Sequence, residues 1–165
     1  MSTLEQIKKV REMTGAGIVD TKKALDEALG DEAKAIEILK EKGQLKAAKK
    51  SDREAHEGVV FVYAHSNGKV GSIVKLLCES DFVARNTEFQ ELGRGIAMHI
   101  AAMNPEALRV EDIASEKEGQ SKEERALLTQ AFVKNPEQTI AELISEKIAK
   151  IGENIQVGEF SRLEI

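Results

Sequence analysis

The run Val59-Val60-Phe61-Val62-Tyr63 is entirely β-branched or aromatic, and Ser66-Asn67-Gly68-Lys69 follows it. Residues of the first kind fit a pleated surface. Asn-Gly is the strongest short hairpin signal, because both residues tolerate positive φ. A second run from Ile73 to Cys78 completes an expected antiparallel hairpin. Val74, Leu76 and Cys78 share one face of that strand. Ile73 and Leu77 share the other, with Lys75 between them. Neither face is cleanly polar, so the sheet is expected to be covered on both sides, by helices or by a partner.

Everything before this hairpin reads as helix. Ser2 and Glu5 have capping-box spacing, Leu4, Ile7 and Val10 follow at helical intervals, and Gly15 can end the first helix. Asp20 is the expected cap of a second helix, which carries Ala24, Leu25, Ala28 and Leu29 and stops at Gly30. Asp31 caps a third, with Ile36 and Leu39 facing inward and Gly43 as its stop. Residues 1–45 thus form a three-helix module with a small core. Residues 46–57 are read as a linker, a solvated connecting helix with Lys46, Lys49, Lys50 and Arg53 on one side. Residues 1–57 hold twelve basic and twelve acidic side chains, whereas 58–165 hold twelve and seventeen. The whole formal charge of −5 lies in the second part, which supports a module boundary near residue 58.

After the hairpin, Thr87 and Gln90 suggest the start of a long helix with Phe89, Leu92, Ile96, Ile100 and Met103 as its buried stripe, closed by Asn104-Pro105. Ser121 and Glu124 cap an expected helix carrying Leu127, Leu128 and Phe132. Pro136 opens an expected last helix, lined by Ile140, Leu143, Ile144, Ile148 and Ile151 and ended by Gly152. The tail from Ile155 to Ile165 alternates as a strand, with Phe160 out of step and Gly158 as the site of a bulge. The fold class is α+β: three N-terminal helices, then a domain over 58–165 in which helices pack a three-stranded antiparallel sheet.

The chemistry-bearing residues are few. One cysteine, Cys78, allows no internal disulfide and no zinc pattern. Its alternation with Leu76 and Val74 makes it a buried small hydrophobe. His56, His65 and His99 have no metal-ligand spacing. Gly15-Ala16-Gly17 follows a helix rather than a strand, so it is a helix–helix turn and not a dinucleotide loop. Gly93-Arg94-Gly95 lies in a helix, where glycine permits close packing. No phosphate loop is present. The Lys46–Arg53 cluster lacks interleaved aromatics, and the total charge is acidic, so no direct nucleic-acid binding is expected. No cofactor or metal is expected, and the chain is not read as an enzyme. The start lacks the pattern of a secretion signal, and no apolar run approaches the ~20 residues that span a bilayer. A cytoplasmic protein without a membrane partner is expected.

One segment stands apart: Glu79-Ser80-Asp81-Phe82-Val83-Ala84-Arg85-Asn86, between a strand and the long helix. It has two readings from physics alone. Ser80 or Asp81 caps a short helix and Phe82 tucks beneath it, or Phe82 protrudes beside a carboxylate as a wedge for a partner's crevice. Ser80-Asp81-Phe82-Val83-Ala84-Arg85-Asn86 resembles a signature of the elongation factor Ts family, with Ser80 where threonine is usual. Val10 through Leu25 is similar to that family's other signature. Ile100-Ala101-Ala102-Met103-Asn104-Pro105 and Ile151-Gly152-Glu153-Asn154-Ile155 also match, so the resemblance covers nearly the whole chain in order.

The resemblance implies a guanine-nucleotide exchange factor for elongation factor Tu, the GTPase that delivers aminoacyl-tRNA. It implies a ubiquitin-associated-like fold for the N-terminal module. Ser80, Asp81, Phe82 and Val83 would disturb the magnesium and phosphate surroundings in the partner. Val10, Met13, Ile18, Arg85 and Asn86 would add to the contact. Many family members carry a second core subdomain or a coiled-coil insertion, and only residues 106–135 stand in that region here. Other short members work as dimers, so a homodimer is an expectation. The competing reading is a module that binds the GTPase without accelerating exchange.

Overall fold

The computed structural model describes residues 2–165. The chain divides into two compact units. One contains the chain up to Asp52 together with Ser145–Gly152, and the other contains Arg53–Ile144 and Glu153–Ile165. The fold is α+β, as the sequence pattern indicates.

In the first unit, helices α1 (Leu4–Thr14), α2 (Ile18–Glu27) and α3 (Glu32–Ala48) enclose Ile7, Val10, Ala24, Leu25, Ala28, Ala35 and Leu39. The cap of α1 is Thr3, not Ser2. The Thr3 hydroxyl accepts from the Gln6 N–H at 3.2 Å, and the Gln6 amide oxygen accepts from the Thr3 N–H at 3.0 Å. Both pairs have capping-box spacing. The later one prevails because Gln6 Nε2 also donates to Gly30 O at 3.0 Å, while the Ser2 hydroxyl donates to Asp26 at 3.0 Å.

Helix α2 is capped by Gly17 without a side-chain bond, so Asp20 is not its cap. Asp20 lies in the first turn, where Lys46 Nζ donates to it at 2.8 Å. That bond holds its carboxyl below the usual range. Leu29, read among the apolar residues of this helix, is 95% exposed and has φ 55°. It occupies the left-handed position after α2 that lets the Gly30 N–H reach Leu25 O at 2.8 Å, and this turn swings its side chain outward. Leu4, read at helical spacing with Ile7 and Val10, is exposed, while those two are buried. Gly43 does not stop α3, which runs on to Ala48, and an added Cβ at Gly43 would meet Ala149 at 3.7 Å. Beyond Ala48 the chain makes turns and a bend rather than a connecting helix.

In the second unit, β1 (Glu57–Ala64), β2 (Val70–Cys78) and β5 (Gln156–Glu164) form an antiparallel sheet in the order β1-β2-β5. Phe61 pairs with Val74, and Val74 with Phe160. The next pair is Leu76 with Val157, so Gly158 and Glu159 bulge, as Gly158 suggested. The hairpin turn is longer than the two-residue form. Gly68 donates its N–H to His65 O at 2.9 Å, and Asn67 Oδ1 accepts from the Lys69 N–H at 2.9 Å. Only the glycine of the Asn-Gly pair has positive φ, at 69°.

Between β2 and β5 in sequence come α4 (Asp81–Ala84), α5 (Thr87–Met103), α6 (Lys122–Arg125), β3 (Ala131–Phe132), β4 (Asn135–Thr139) and α7 (Ile140–Ile151). Helix α5 lies on one face of the sheet. Phe89, Leu92, Ile96 and Ile100 are buried, as are Phe61, Val74, Leu76, Cys78 and Val157. The Phe61 and Phe89 rings lie 6.2 Å apart between centroids. Met103 falls off the stripe and is exposed at the frayed end, before Asn104 takes the left-handed cap. The chain's own helices leave the opposite sheet face open: Val60, Val62, Ile73 and Leu163 are exposed.

The region 105–139 departs most from the sequence reading. The Ser121–Glu124 capping box is present, but its helix is one turn long and is followed by a two-stranded sheet. Tertiary bonds stop the helix: Leu127 N–H donates to Ala107 O at 2.9 Å, and Gln130 Nε2 donates to Glu124 O at 2.9 Å. The buried Arg125 guanidinium donates to Glu106 at 3.2 Å and to Ser115 O at 2.6 Å. Pro136 lies in β4, not at a helix start. The cap of α7 is Thr139, whose hydroxyl accepts from the Glu142 N–H at 3.2 Å while Glu142 accepts from the Thr139 N–H at 2.8 Å.

His99 on α5 joins this region to the core. Its Nδ1 accepts from the Val133 N–H at 3.1 Å, which puts its proton on Nε2, facing Gln130 Oε1 at 3.0 Å. Burial holds this imidazole below its usual pKa. Among the described residues, no helix is long and apolar enough to cross a membrane.

Candidate functional site

Strand β2 ends at Cys78, and two side-chain caps shape the segment beyond it. Ser80 caps α4, its hydroxyl accepting from the Val83 N–H at 3.4 Å. Asn86 caps α5, its Oδ1 accepting from the Glu88 N–H at 2.8 Å and the Phe89 N–H at 3.4 Å. With a cap on each side, the chain has room for only one helical turn, Asp81–Ala84. A single turn has one inward position, and Ala84 takes it. Phe82 points the other way and is 81% exposed. Full burial of a phenylalanine contributes about 1.5–3 kcal/mol, so an exposed ring on a fixed turn forgoes most of that. Of the first sequence reading, Ser80 does cap a short helix, but Phe82 does not tuck beneath it.

The turn is gripped from outside. The Glu153 carboxylate accepts from the Ser80 N–H at 2.9 Å through one oxygen and from the Ser80 hydroxyl at 2.7 Å through the other. Gln90 Nε2 donates to Ala84 O at 2.6 Å. Glu79 Oε1 accepts from the Asn154 N–H at 2.6 Å and lies 3.6 Å from Arg53 Nη1. The Asn154 side chain in turn donates to Arg53 O at 2.7 Å. Asp81, beside Phe82, pairs with Arg85 at 3.2 Å one turn later, and both are exposed. Val83 is half-buried.

Of the sequence candidates, Ser80, Asp81, Phe82, Val83, Arg85 and Asn86 are together, with Asn86 spending its amide oxygen on the α5 cap. Met13 and Ile18 flank the Gly15 turn of the first unit and are exposed, with Val19 beside them. Val10 is fully buried in the helical core and cannot face a partner. Glu153 and Asn154 are not among the sequence candidates for the site, and Gln90 is read there only as part of the start of the long helix. The first two lie in the Ile151–Ile155 stretch, where a carboxylate and an amide directly after a helix-ending glycine were the available signal.

Conventional reactive groups are quiet. The Cys78 thiol donates to Ser80 O at 3.2 Å, and burial, aided by the Glu153 charge, pushes its pKa up to about 11. A thiol of that pKa is a poor nucleophile at neutral pH. His56 is exposed beside Glu54 at 3.0 Å, and His65 lies 3.0 Å from the Tyr63 hydroxyl. Among the described residues, no three His, Cys, Asp or Glu side chains converge as a metal site.

Comparison with known proteins places the chain among its relatives. A family model described as Elongation factor TS matches residues 2–125. Elongation factor Ts of Carboxydothermus hydrogenoformans is 44% identical over 194 aligned positions, covering 100% of this chain and 89% of the relative. Elongation factor Ts of Rubrobacter xylanophilus is 42% identical over 191 positions, covering 98% of each chain. That of Fervidobacterium nodosum is 43% identical over 190 positions, covering 98% of this chain and 96% of the relative. Each alignment is longer than the 165 residues here, so the relatives carry residues without a counterpart in this chain.

Proposed function

The chain belongs to the elongation factor Ts family of translation elongation factors, and from that premise we propose that it is a guanine-nucleotide exchange factor for elongation factor Tu. The observation that carries this reading is Phe82, four-fifths exposed on a turn fixed at both ends. The ring enters a crevice in the GTPase. The Asp81 carboxylate arrives with it and competes for the surroundings of the magnesium ion and phosphates. GDP then leaves faster, with no bond made or broken by this protein.

Linkage fixes the rest of the cycle. If this protein weakens GDP binding by some factor, GDP weakens its binding by the same factor. Incoming nucleotide therefore expels it. Met13 and Ile18, on the proposed docking module of residues 1–45, supply a second contact. Residues 46–57 link that module to the wedge-bearing domain, 58–165. The cytoplasm, where the GTPase works, is the proposed location. A second copy is the proposed occupant of the bare sheet face, whose Val60, Val62, Ile73 and Leu163 leave an apolar surface beside the Lys75–Glu159 pair. A two-fold pairing of that face with itself can set each lysine against a partner glutamate.

The test is release of labelled GDP from elongation factor Tu across a range of concentrations of this protein. Phe82→Ala is expected to lose most of the acceleration while unfolding as the wild type does, because its ring is exposed. Full activity in Phe82→Ala sinks the wedge. A complex indifferent to added GDP and magnesium means binding without exchange. A rate that follows the dimer population supports the paired sheet.

A further inference from the structure

We infer that Glu153 is the positioning residue of the wedge: it acts through Ser80 to hold Phe82 out in the geometry that enters the partner. This inference rests on the exchange reading for its consequence, but its geometric part stands alone.

Four observations carry it. The carboxylate uses both oxygens on one residue, taking the Ser80 N–H at 2.9 Å and the Ser80 hydroxyl at 2.7 Å. Ser80 is the cap from which the one-turn helix hangs, so fixing Ser80 fixes the direction of the turn. The other side-chain tie at this end is a weak one, the Cys78 thiol donating to Ser80 O at 3.2 Å. The turn's own backbone bonds are Ala84 N–H to Ser80 O and Arg85 N–H to Asp81 O, both at 3.2 Å, and Asn86 N–H to Val83 O at 2.9 Å, and an isolated turn of this length does not persist in water. At the other end a neutral amide, Gln90, holds Ala84 O.

Bonds to an ionised acceptor are the stronger kind. Glu153 itself is held in place by its neighbour: the Asn154 N–H is bound to Glu79, on the residue before Ser80. The two strands of chain thus clasp each other, Glu79 to Asn154 and Ser80 to Glu153. Phe82 gains little from burial, so its outward pose rests on how the turn is held, by this clasp and by the inward packing of Ala84.

The carboxylate, not merely an acceptor, is needed. Glutamine has one carbonyl oxygen, and its NH2 cannot accept from either Ser80 donor. Glu153→Gln preserves volume and so tests the bonds without opening a cavity.

The experiment has two arms. In the first, Phe82→Trp places the chain's only tryptophan on the turn, and its fluorescence anisotropy reads the freedom of the wedge. Adding Glu153→Gln is expected to lower the anisotropy, and Ser80→Ala is expected to do the same. In the second, GDP release from elongation factor Tu is measured with Glu153→Gln, Ser80→Ala and the double variant on the Phe82 background. The maximal rate is expected to fall on the order of tenfold in each single variant, with half-saturation little changed. The double variant is expected to be no slower than the slower single, because both act on one element. Additive losses, or a change confined to half-saturation, overturn the positioning role. Unchanged anisotropy overturns it whether or not the protein accelerates exchange. If the parent protein fails to release GDP while the anisotropy falls as expected, the exchange reading fails and the clasp stands. Glu153→Ala, measured beside Glu153→Gln, shows whether loss of folding contributes.

Discussion

Replacing Gly93 by alanine adds one methyl group where the core has no room. A Cβ built there lies 2.0 Å from Phe61 Cε2 and 2.2 Å from Cδ2. Ordinary contact between carbon atoms needs roughly 3.5 Å, so the ring would have to retreat by about 1.5 Å. It cannot do so freely. Phe61 is buried, packs against Phe89 at 6.2 Å, and shares its strand position with Val74 across the ladder. Overpacking of this kind costs about 1–3 kcal/mol, and a clash this deep belongs at the upper end. Alanine returns about 1 kcal/mol of helix propensity at the same position. The net expected loss is about 2 kcal/mol, or about 6 °C in Tm for a chain of this size.

Gly95, two residues on, is the control. Its added Cβ would lie 3.1 Å from Phe132 Cζ, a contact relieved by a few tenths of an ångström. There the propensity gain offsets the crowding, and Gly95→Ala is expected to be within about 0.5 kcal/mol of the parent. The assay is urea unfolding followed by the fluorescence of Tyr63, the only tyrosine, which lies on the same strand as Phe61. A Gly93→Ala protein as stable as the parent, or a Gly95→Ala protein that is the worse of the two, refutes the packing argument.

His99 gives a pH dependence of definite sign. Its folded pKa lies below the ordinary 6.5 because burial opposes the charged form, and Nδ1 already accepts from Val133. Its contribution is complete above pH 6.5 and is lost as pH falls from there toward the folded pKa, at up to about 1.4 kcal/mol per pH unit. Urea midpoints at pH 7.5 and 5.5 are expected to differ less in His99→Gln than in the parent, and an equal difference removes His99 as the titrating group. Leu29 gives a prediction of the opposite kind. A leucine with φ 55° and 95% exposure bears backbone strain without burial to offset it. Leu29→Asn is expected to stabilise the helical unit by about 0.5–1 kcal/mol in urea unfolding followed by circular dichroism, and a lowered midpoint means the side chain has an unrecognised role.

The parts of the fold legible in the sequence are those where one local signal has no rival. The β-branched run from Val59, the turn at Gly68, the cap at Asp31 and the bulge at Gly158 are all in this class. Where two signals overlapped, the tertiary partner chose between them. Thr3 beat Ser2 because Gln6 could also reach Gly30. Asn86 took the α5 cap from Thr87 because an amide oxygen could accept two N–H groups. The stretch after Arg125 has helical spacing but folds into a hairpin, since Ala107 and Gln130 supply bonds that no local pattern contains. At the candidate site, Ser80–Val83 was legible as a polar segment with a misplaced aromatic. The grip of Glu153 was not, because the partners are 73 residues apart in sequence.

That separation has a consequence for how such a chain can vary. The contacts described around the Phe82 turn come from Glu79, the first turn of α5, the joint before β5 and Arg53. The stretch from Asn104 to Thr139 supplies none of them. Changes there that keep its packing on α5 through His99 and Phe132 leave the Phe82 turn held as it is, so long as α7 still delivers residue 153 to the same place. A free peptide spanning 79–86 would, by the same token, carry the right letters and no aim.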